Sequence, residues 1–537
     1  MKKIFISISL LLAVTGVARS QALYQPYSYQ LYQKFDAENY STKTRLHTAL
    51  KPSLIGDSVL MRSYDSIMNY GRYNGGNALY NKLFNEHQVD VKGSNSTFYA
   101  DLLPDFNIGR DFSHKQNTWL SSLGLQVGGT IGNKFYYNVT GFLNRSEVPD
   151  YISTYIRQVG IVPGMAYAGT YNNNPNAYAW DYITAIASYT PNKYINITAG
   201  RDKNFIGDGY RSLLLSDYAS PYPFFKLTAN LGNVRYMAMW AYFNDPANTS
   251  QLRTDQHKFG VFHYLDWNVS NRLSLGFYDS VIWGNVDDKG HVRGFDFNYI
   301  NPVIFLRPIE AASGSPDNAL IGITTKYKIT DGITAYGQFS LDEFTAKEFF
   351  GNSGYLNNKF GYQVGFRGPN LFGVKNLNYL VETNTVRPYT YSERYSILNY
   401  SENSEPLAHP WGANFREVVG LLSYSINRFD LMGEIDYGHY GLDANGINYG
   451  KDIFKNYTEA PKLYGNNIAQ GLATNMVYLQ GKVAYLINPK YNLRLELGGI
   501  YRTEKNTAFN DKTAMVTFGI RSSFRNIYTD LASYKTH

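Results

Sequence analysis

From about Thr97 onward, apolar and polar residues alternate with a period of two. This is the pattern of strands whose two faces meet different surroundings. Thr118 to Gly129 sets Trp119, Ser121, Leu123, Leu125 and Val127 against Leu120, Ser122, Gly124, Gln126 and Gly128. Similar segments run at Phe106–Phe112, Lys134–Phe142, Tyr178–Tyr189, Lys193–Arg201, Phe225–Ala229, Val234–Phe243, His257–Val269 and Arg272–Trp283. They continue at Ile321–Ile329, Ile333–Ser340, Tyr362–Gly368, Leu377–Arg387, Glu417–Ile426, Phe429–Tyr440, Met476–Ile487, Tyr491–Tyr501 and Ala514–Phe524. The pattern predicts about eighteen strands, mostly of roughly ten residues, the length a tilted strand needs to cross a bilayer.

The connections alternate between two kinds. Gly132-Asn133, Pro191-Asn192, Gly232-Asn233, Ser270-Asn271, Asp331-Gly332, Asn427-Arg428 and Asn488-Pro489 are tight-turn pairs. Residues 147–177, 202–223, 285–318, 389–415 and 442–474 are long. Short turns on one side and long loops on the other mark an all-β transmembrane antiparallel β-barrel. In Met476–Ile487, Val477, Leu479, Val483 and Tyr485 read as the lipid face, and Met476, Tyr478, Gln480 and Lys482 as a wet lumen. Trp119, Tyr178, Trp180, Tyr189, Tyr278 and Trp283, near strand ends, are expected in interfacial aromatic belts.

Residues 21–97 break the pattern. Tyr27–Asp36, Thr42–Leu50 and Tyr64–Tyr70 have weak helical spacing, so this region is expected to be small, partly helical and periplasmic. Residues 1–20 read as a secretory signal peptide: Lys2-Lys3, the apolar Ile4–Val14, then Ala18-Arg19-Ser20. The remaining division is a barrel over 98–528 and a tail over 529–537.

Composition supports this organisation. Tyr 49, Phe 31 and Gly 47 are abundant, while charged residues are only 17%. The formal charge of +7 falls to +4 without Lys2, Lys3 and Arg19, too little and too evenly spread for nucleic acid. Zero cysteine excludes disulfides, thiol nucleophiles and cysteine metal sites. No cofactor or metal site is expected: Asp202, Asn204 and Asp208 lack calcium-loop spacing. His409 has no nucleophile at motif spacing, so the chain does not read as an enzyme.

Three long loops carry unusual chemistry. The stretch Gly200–Lys226 holds Arg201, Asp202, Phe205, Asp208, Tyr210, Arg211, Asp217, Tyr218 and Tyr222. The second holds Asn301, Arg307 and Glu310. The third holds Arg387, Tyr389, Tyr391, His409 and Trp411. Folded over the barrel mouth, these loops would form a plug or a cleft. Aromatic faces stack on sugar C–H faces, while Arg, Asp and Asn bond hydroxyls. Phe205, Tyr210, Arg211, Asp217, Tyr218, Tyr222, Arg307, Arg387, Tyr389, Tyr391, His409 and Trp411 are therefore the glycan-binding candidates. Arg201, Asp202, Asp208, Asn301 and Glu310 are the candidates for fastening a plug. The same charges can equally be read as internal salt bridges.

Gly200-Arg-Asp-Lys-Asn-Phe-Ile-Gly-Asp-Gly-Tyr-Arg-Ser-Leu-Leu-Leu-Ser-Asp217 resembles a stretch of the Bacteroidetes branch of the capsule-assembly Wzi family. So do Asn301-Pro302 with Phe305-Leu-Arg-Pro308, Val386-Arg-Pro-Tyr-Thr-Tyr-Ser392 and Leu407-Ala-His-Pro410. The gliding-motility protein RemB is similar to that family. The resemblance implies an eighteen-stranded barrel in the outer membrane of a Gram-negative cell, preceded by a periplasmic helical bundle. It implies a lectin-like role, with outer-membrane lipid and surface polysaccharide as partners. The alternatives are a porin-like channel and an accessory barrel working with motility or secretion proteins.

Overall fold

The computed structural model describes residues 23–24, 26–55, 58–69, 76–245, 257–286, 291–302, 317–351 and 353–534. The expected signal peptide, Arg307 and Glu310 lie outside the described residues.

Eighteen strands close into one antiparallel barrel. They are β1 Ser96–Asp111, β2 Gln116–Ile131, β3 Phe135–Glu147, β4 Asn174–Asn192, β5 Ile195–Asp202 and β6 Tyr222–Leu231. There follow β7 Val234–Asn244, β8 His257–Asn268, β9 Leu273–Gly284, β10 Asn318–Thr330, β11 Ile333–Glu343 and β12 Lys359–Gly368. The last six are β13 Leu377–Val386, β14 Phe415–Ile426, β15 Phe429–Leu442, β16 Leu472–Asn488, β17 Leu493–Lys505 and β18 Asn510–Arg521. Each pairs with its chain neighbour, and β18 returns to β1 in the register Met515↔Asp111 to Ile520↔Phe106. Closure pairs the two strands that would otherwise be edges. Among the described residues, no helix is long and apolar enough to cross a membrane.

The period-two pattern sets the two faces of the wall. Leu123, Leu125, Leu143, Ile183, Val364, Val381 and Leu497 point outward and are exposed, as a lipid-facing band requires. In β16, Met476, Tyr478, Gln480 and Ala484 point inward and are buried. The lumen is therefore packed, not the wet channel expected from the alternation. Among the expected belt aromatics, Trp119 and Tyr189 lie on the outer face. Tyr178, Trp180 and Tyr278 point inward and are buried in the lumenal clusters. Trp283 is on the outer wall, but Phe259, Phe295 and Tyr299 cover it.

The N-terminal region sits at the tight-turn end. It holds the helical turns Tyr29–Tyr32 and Asp36–Asn39, α1 Ser58–Met68 and α2 Ala78–Phe84. Thr42–Leu50 is not helical: after a turn at Thr42-Lys43 it runs without regular structure until Leu50 enters a short strand. Its backbone is held by barrel side chains: Lys328 donates to the Ser41 and Thr44 carbonyls, and Asn268 to that of Arg45. Contacts at three of the tight turns hold this region to the barrel. Thr42 bonds Asp331, Arg45 bonds Asn271 and Lys34 pairs with Asp430.

Candidate functional site

The stretch Gly200–Lys226 folds into the lumen. β5 delivers the chain to the long-loop end, and residues 203–221 descend through the barrel and climb back. Phe205–Ile206 pair with Leu50–Lys51 of the N-terminal region. Gly207 turns the chain at φ 141°, and a Cβ there would collide with the Gln338 amide. Gln338 accepts the Leu213 N–H at 2.8 Å and donates to the Ile206 carbonyl at 2.9 Å. Glu382 accepts the Tyr210 and Arg211 N–H groups at 3.0 and 2.9 Å. The barrel wall thus supplies partners for a buried loop backbone, which a buried loop requires.

Arg211, Asp208 and Asp217 of this stretch are fasteners. Arg211 pairs with Glu417 at 2.9 Å, Asp530 at 2.7 Å and Asp436 at 3.4 Å. Asp208 accepts the hydroxyls of Tyr40 and Thr48 and lies 4.0 Å from Lys326. Asp217 accepts the Asn526 amide at 2.7 Å and the Tyr528 hydroxyl at 2.5 Å. Asp202 faces the lumen and accepts the Lys203 N–H. Arg201 has the outward register and donates to the Ile183 carbonyl, so it fastens no plug. Asn301 follows the turn Phe297–Ile300 on the outer wall, where Trp240 and Tyr236 bond the Tyr299 and Pro302 carbonyls. That part of the second loop packs outside the barrel and not over its mouth.

The aromatic candidates are mostly inside. Phe205 packs on Tyr27 and beneath the Lys51 ammonium, 4.7 Å from its ring centre. Tyr218 bonds the Tyr155 hydroxyl at 2.7 Å, and Tyr222 opens β6 against Phe243. Tyr389 donates to the Asn448 carbonyl, Tyr391 to that of Leu213 and Trp411 to that of Asp530. His409 meets Glu417 at 2.7 Å. All seven are buried, and each hydrogen bond named here closes within the protein. Tyr210 and Arg387 alone among the described glycan candidates keep partial exposure.

The C-terminal tail completes the plug. After β18 ends at the tight-turn end, residues 522–534 climb back through the lumen. Arg525 bonds Asp105, Ser122 and Asn144. Asp530 pairs with Arg211, and Ser533 bonds Glu504. Tyr151 of the helix α3 Asp150–Val159 donates to the Thr529 carbonyl.

Two loops that the sequence analysis did not single out as candidate sites, 344–358 and the long loop 442–474, form a platform at the long-loop end. Backbone bonds stitch residues 353–356 to 463–466: Gly465 N–H to the Ser353 carbonyl, Asn466 to Gly354, and Leu356 to Leu463, all 2.8 to 2.9 Å. They present Tyr355 and Tyr464 as a tilted pair, ring centres 5.3 Å apart. Arg387 lies at the base, donating to the Asn358 carbonyl at 2.8 Å and the Asn466 carbonyl at 3.4 Å. The available signal was a tyrosine beside a glycine in each loop, Gly354-Tyr355 and Tyr464-Gly465.

Long-loop carboxylates are also buried. Burial raises Glu402 from its ordinary 4.5 to about 8, against the Asn244 N–H and Lys258. It raises Glu405 to about 7, against the Gly164 N–H and Lys203.

No protein-family model matches the chain, and no curated protein matches it. Solved structures do. One is Wzi of Escherichia coli, described as an outer membrane protein involved in group 1 capsule assembly and a carbohydrate-binding β-barrel. It is 15% identical over 78% of this chain and 85% of that one, with a TM-score of 0.49. Pseudomonas aeruginosa OccK5 is 12% identical over 79% and 98%, with a TM-score of 0.42. The outer membrane protein OprD of Pseudomonas aeruginosa is 10% identical over 82% and 98%, with a TM-score of 0.42. These are likenesses of fold.

Proposed function

We propose that the chain is a non-enzymatic barrel of a Gram-negative outer membrane that binds or anchors surface polysaccharide at its long-loop end. The observation that carries this reading is the stitched pair of loops presenting Tyr355 and Tyr464 beside Arg387. Two aromatic faces and a cation fit the C–H faces and oxygens of a sugar chain. The filled lumen supports binding over diffusion, since 203–221, the tail and the N-terminal region occupy its interior. The test is a glycan array probed with the purified barrel. Binding to bacterial surface polysaccharides is expected. In Tyr464→Ala it should fall about tenfold, roughly 1.4 kcal/mol. An array without signal for the wild-type barrel would overturn the reading.

A further inference from the structure

A cavity of about 160 Å³ lies inside the lumen, between α3, the C-terminal tail and the wall where β18 meets β1. A cavity of about 150 Å³ holds benzene, so this one has room for a single six-membered ring. Its apolar side is Leu120, Ile152, Val162, Met165, Ile500 and Met515. Four polar groups lining it stand out. Trp180 is 8% exposed, and its indole N–H has no hydrogen-bond partner. Such an orphaned buried donor is uncommon. Among the described residues, the side chains of Asn107, Thr517 and Lys482 also make no hydrogen bond, and Lys482 makes no ion pair.

The neighbouring charges are already matched. Arg521 and Arg525 share Asp105, and Arg494 and Arg521 hold Glu496. Lys482 forms no ion pair of its own: of its two nearest carboxylate influences, Glu496 is already held by Arg494 and Arg521, and Glu434 makes no direct contact with it. A half-buried cation lining the cavity without a direct partner favours an anion brought by a ligand.

We infer that this cavity is a binding site for one carboxylated sugar ring. The carboxylate would meet the Lys482 ammonium. Ring hydroxyls would meet Asn107, Thr517 and the Trp180 N–H, and the ring's C–H face would lie on the apolar side. The site is separate from the Tyr355–Tyr464 platform. The tail residues Ile527, Tyr528 and Thr529 form part of its lining.

Tryptophan fluorescence of the intact barrel in detergent tests this, titrated with glucuronate and with glucose at matched ionic strength. Glucuronate is expected to shift the emission, with glucose at least tenfold weaker. Lys482→Gln should abolish that preference, and Trp180→Phe should remove the signal. No response to glucuronate, an equal response to glucose, or a preference that survives Lys482→Gln overturns the inference. A glycan array on the same preparation separates the two sites. Array binding without a glucuronate response defeats the lumenal site and leaves the platform standing. A glucuronate preference that needs Lys482, with a silent array, does the reverse.

Discussion

Arg211 is the residue on which the plug is most strongly fastened. It is buried among Glu417, Asp436 and Asp530, and its main-chain N–H is held by Glu382. Removing the cation leaves three carboxylates facing one another in a dry interior. Breaking a buried pair of this kind costs about 3–5 kcal/mol. Arg211→Met should therefore raise hydrogen exchange across 203–221 while strand amides stay protected; unchanged exchange in that loop would refute the fastening role. Glu402 and Glu405 give the long loops a pH dependence. Their folded values, about 8 and about 7, lie above the ordinary 4.5. Their stabilising contribution is complete below about 4.5 and is lost as pH rises through 7 and 8. Residues 400–408 should exchange faster at pH 9 than at pH 6 after correction for intrinsic rates, and Glu402→Gln should reduce the difference. Equal protection at both values would contradict this. At this scale the sequence allowed two readings of each charged loop residue. Burial separates them: Asp208, Arg211 and Asp217 bond to the protein, whereas Arg387 stays partly open beneath the platform.

Among the elements, the strands were legible and their fillings were not. Each of the eighteen expected segments overlaps one observed strand, because alternation and turn chemistry are local. Thr42–Leu50 is irregular and not helical because its partners, Asp331, Asn268 and Lys328, lie more than two hundred residues away. No local period could report that. The tail is a similar case. It has no regular pattern, since its partners are scattered over the wall, from Asp105 to Glu504, and the plug loop, at Asp217 and Arg211. If the tail closes the lumen, truncation after Arg521 should turn a silent barrel into one that shows discrete conductance steps in planar bilayers. A truncated barrel with an unchanged strand spectrum and no conductance would show that the remaining loops suffice.

At the scale of the molecule, the parity of the loops was the strongest sequence signal, and it led directly to the closed barrel. What the signal could not supply was the state of the lumen. An inward-facing Gln480 or Tyr478 reads the same whether it meets water or, as here, Thr529 of the tail. On the proposed reading, a barrel that fills its own interior and carries its aromatic platform outside holds a ligand at the surface. The most direct measurement is planar-bilayer recording of the intact purified barrel, with surface polysaccharide binding scored on the same preparation. The expected result is polysaccharide binding with no ion conductance. Stable conductance without polysaccharide binding would contradict it.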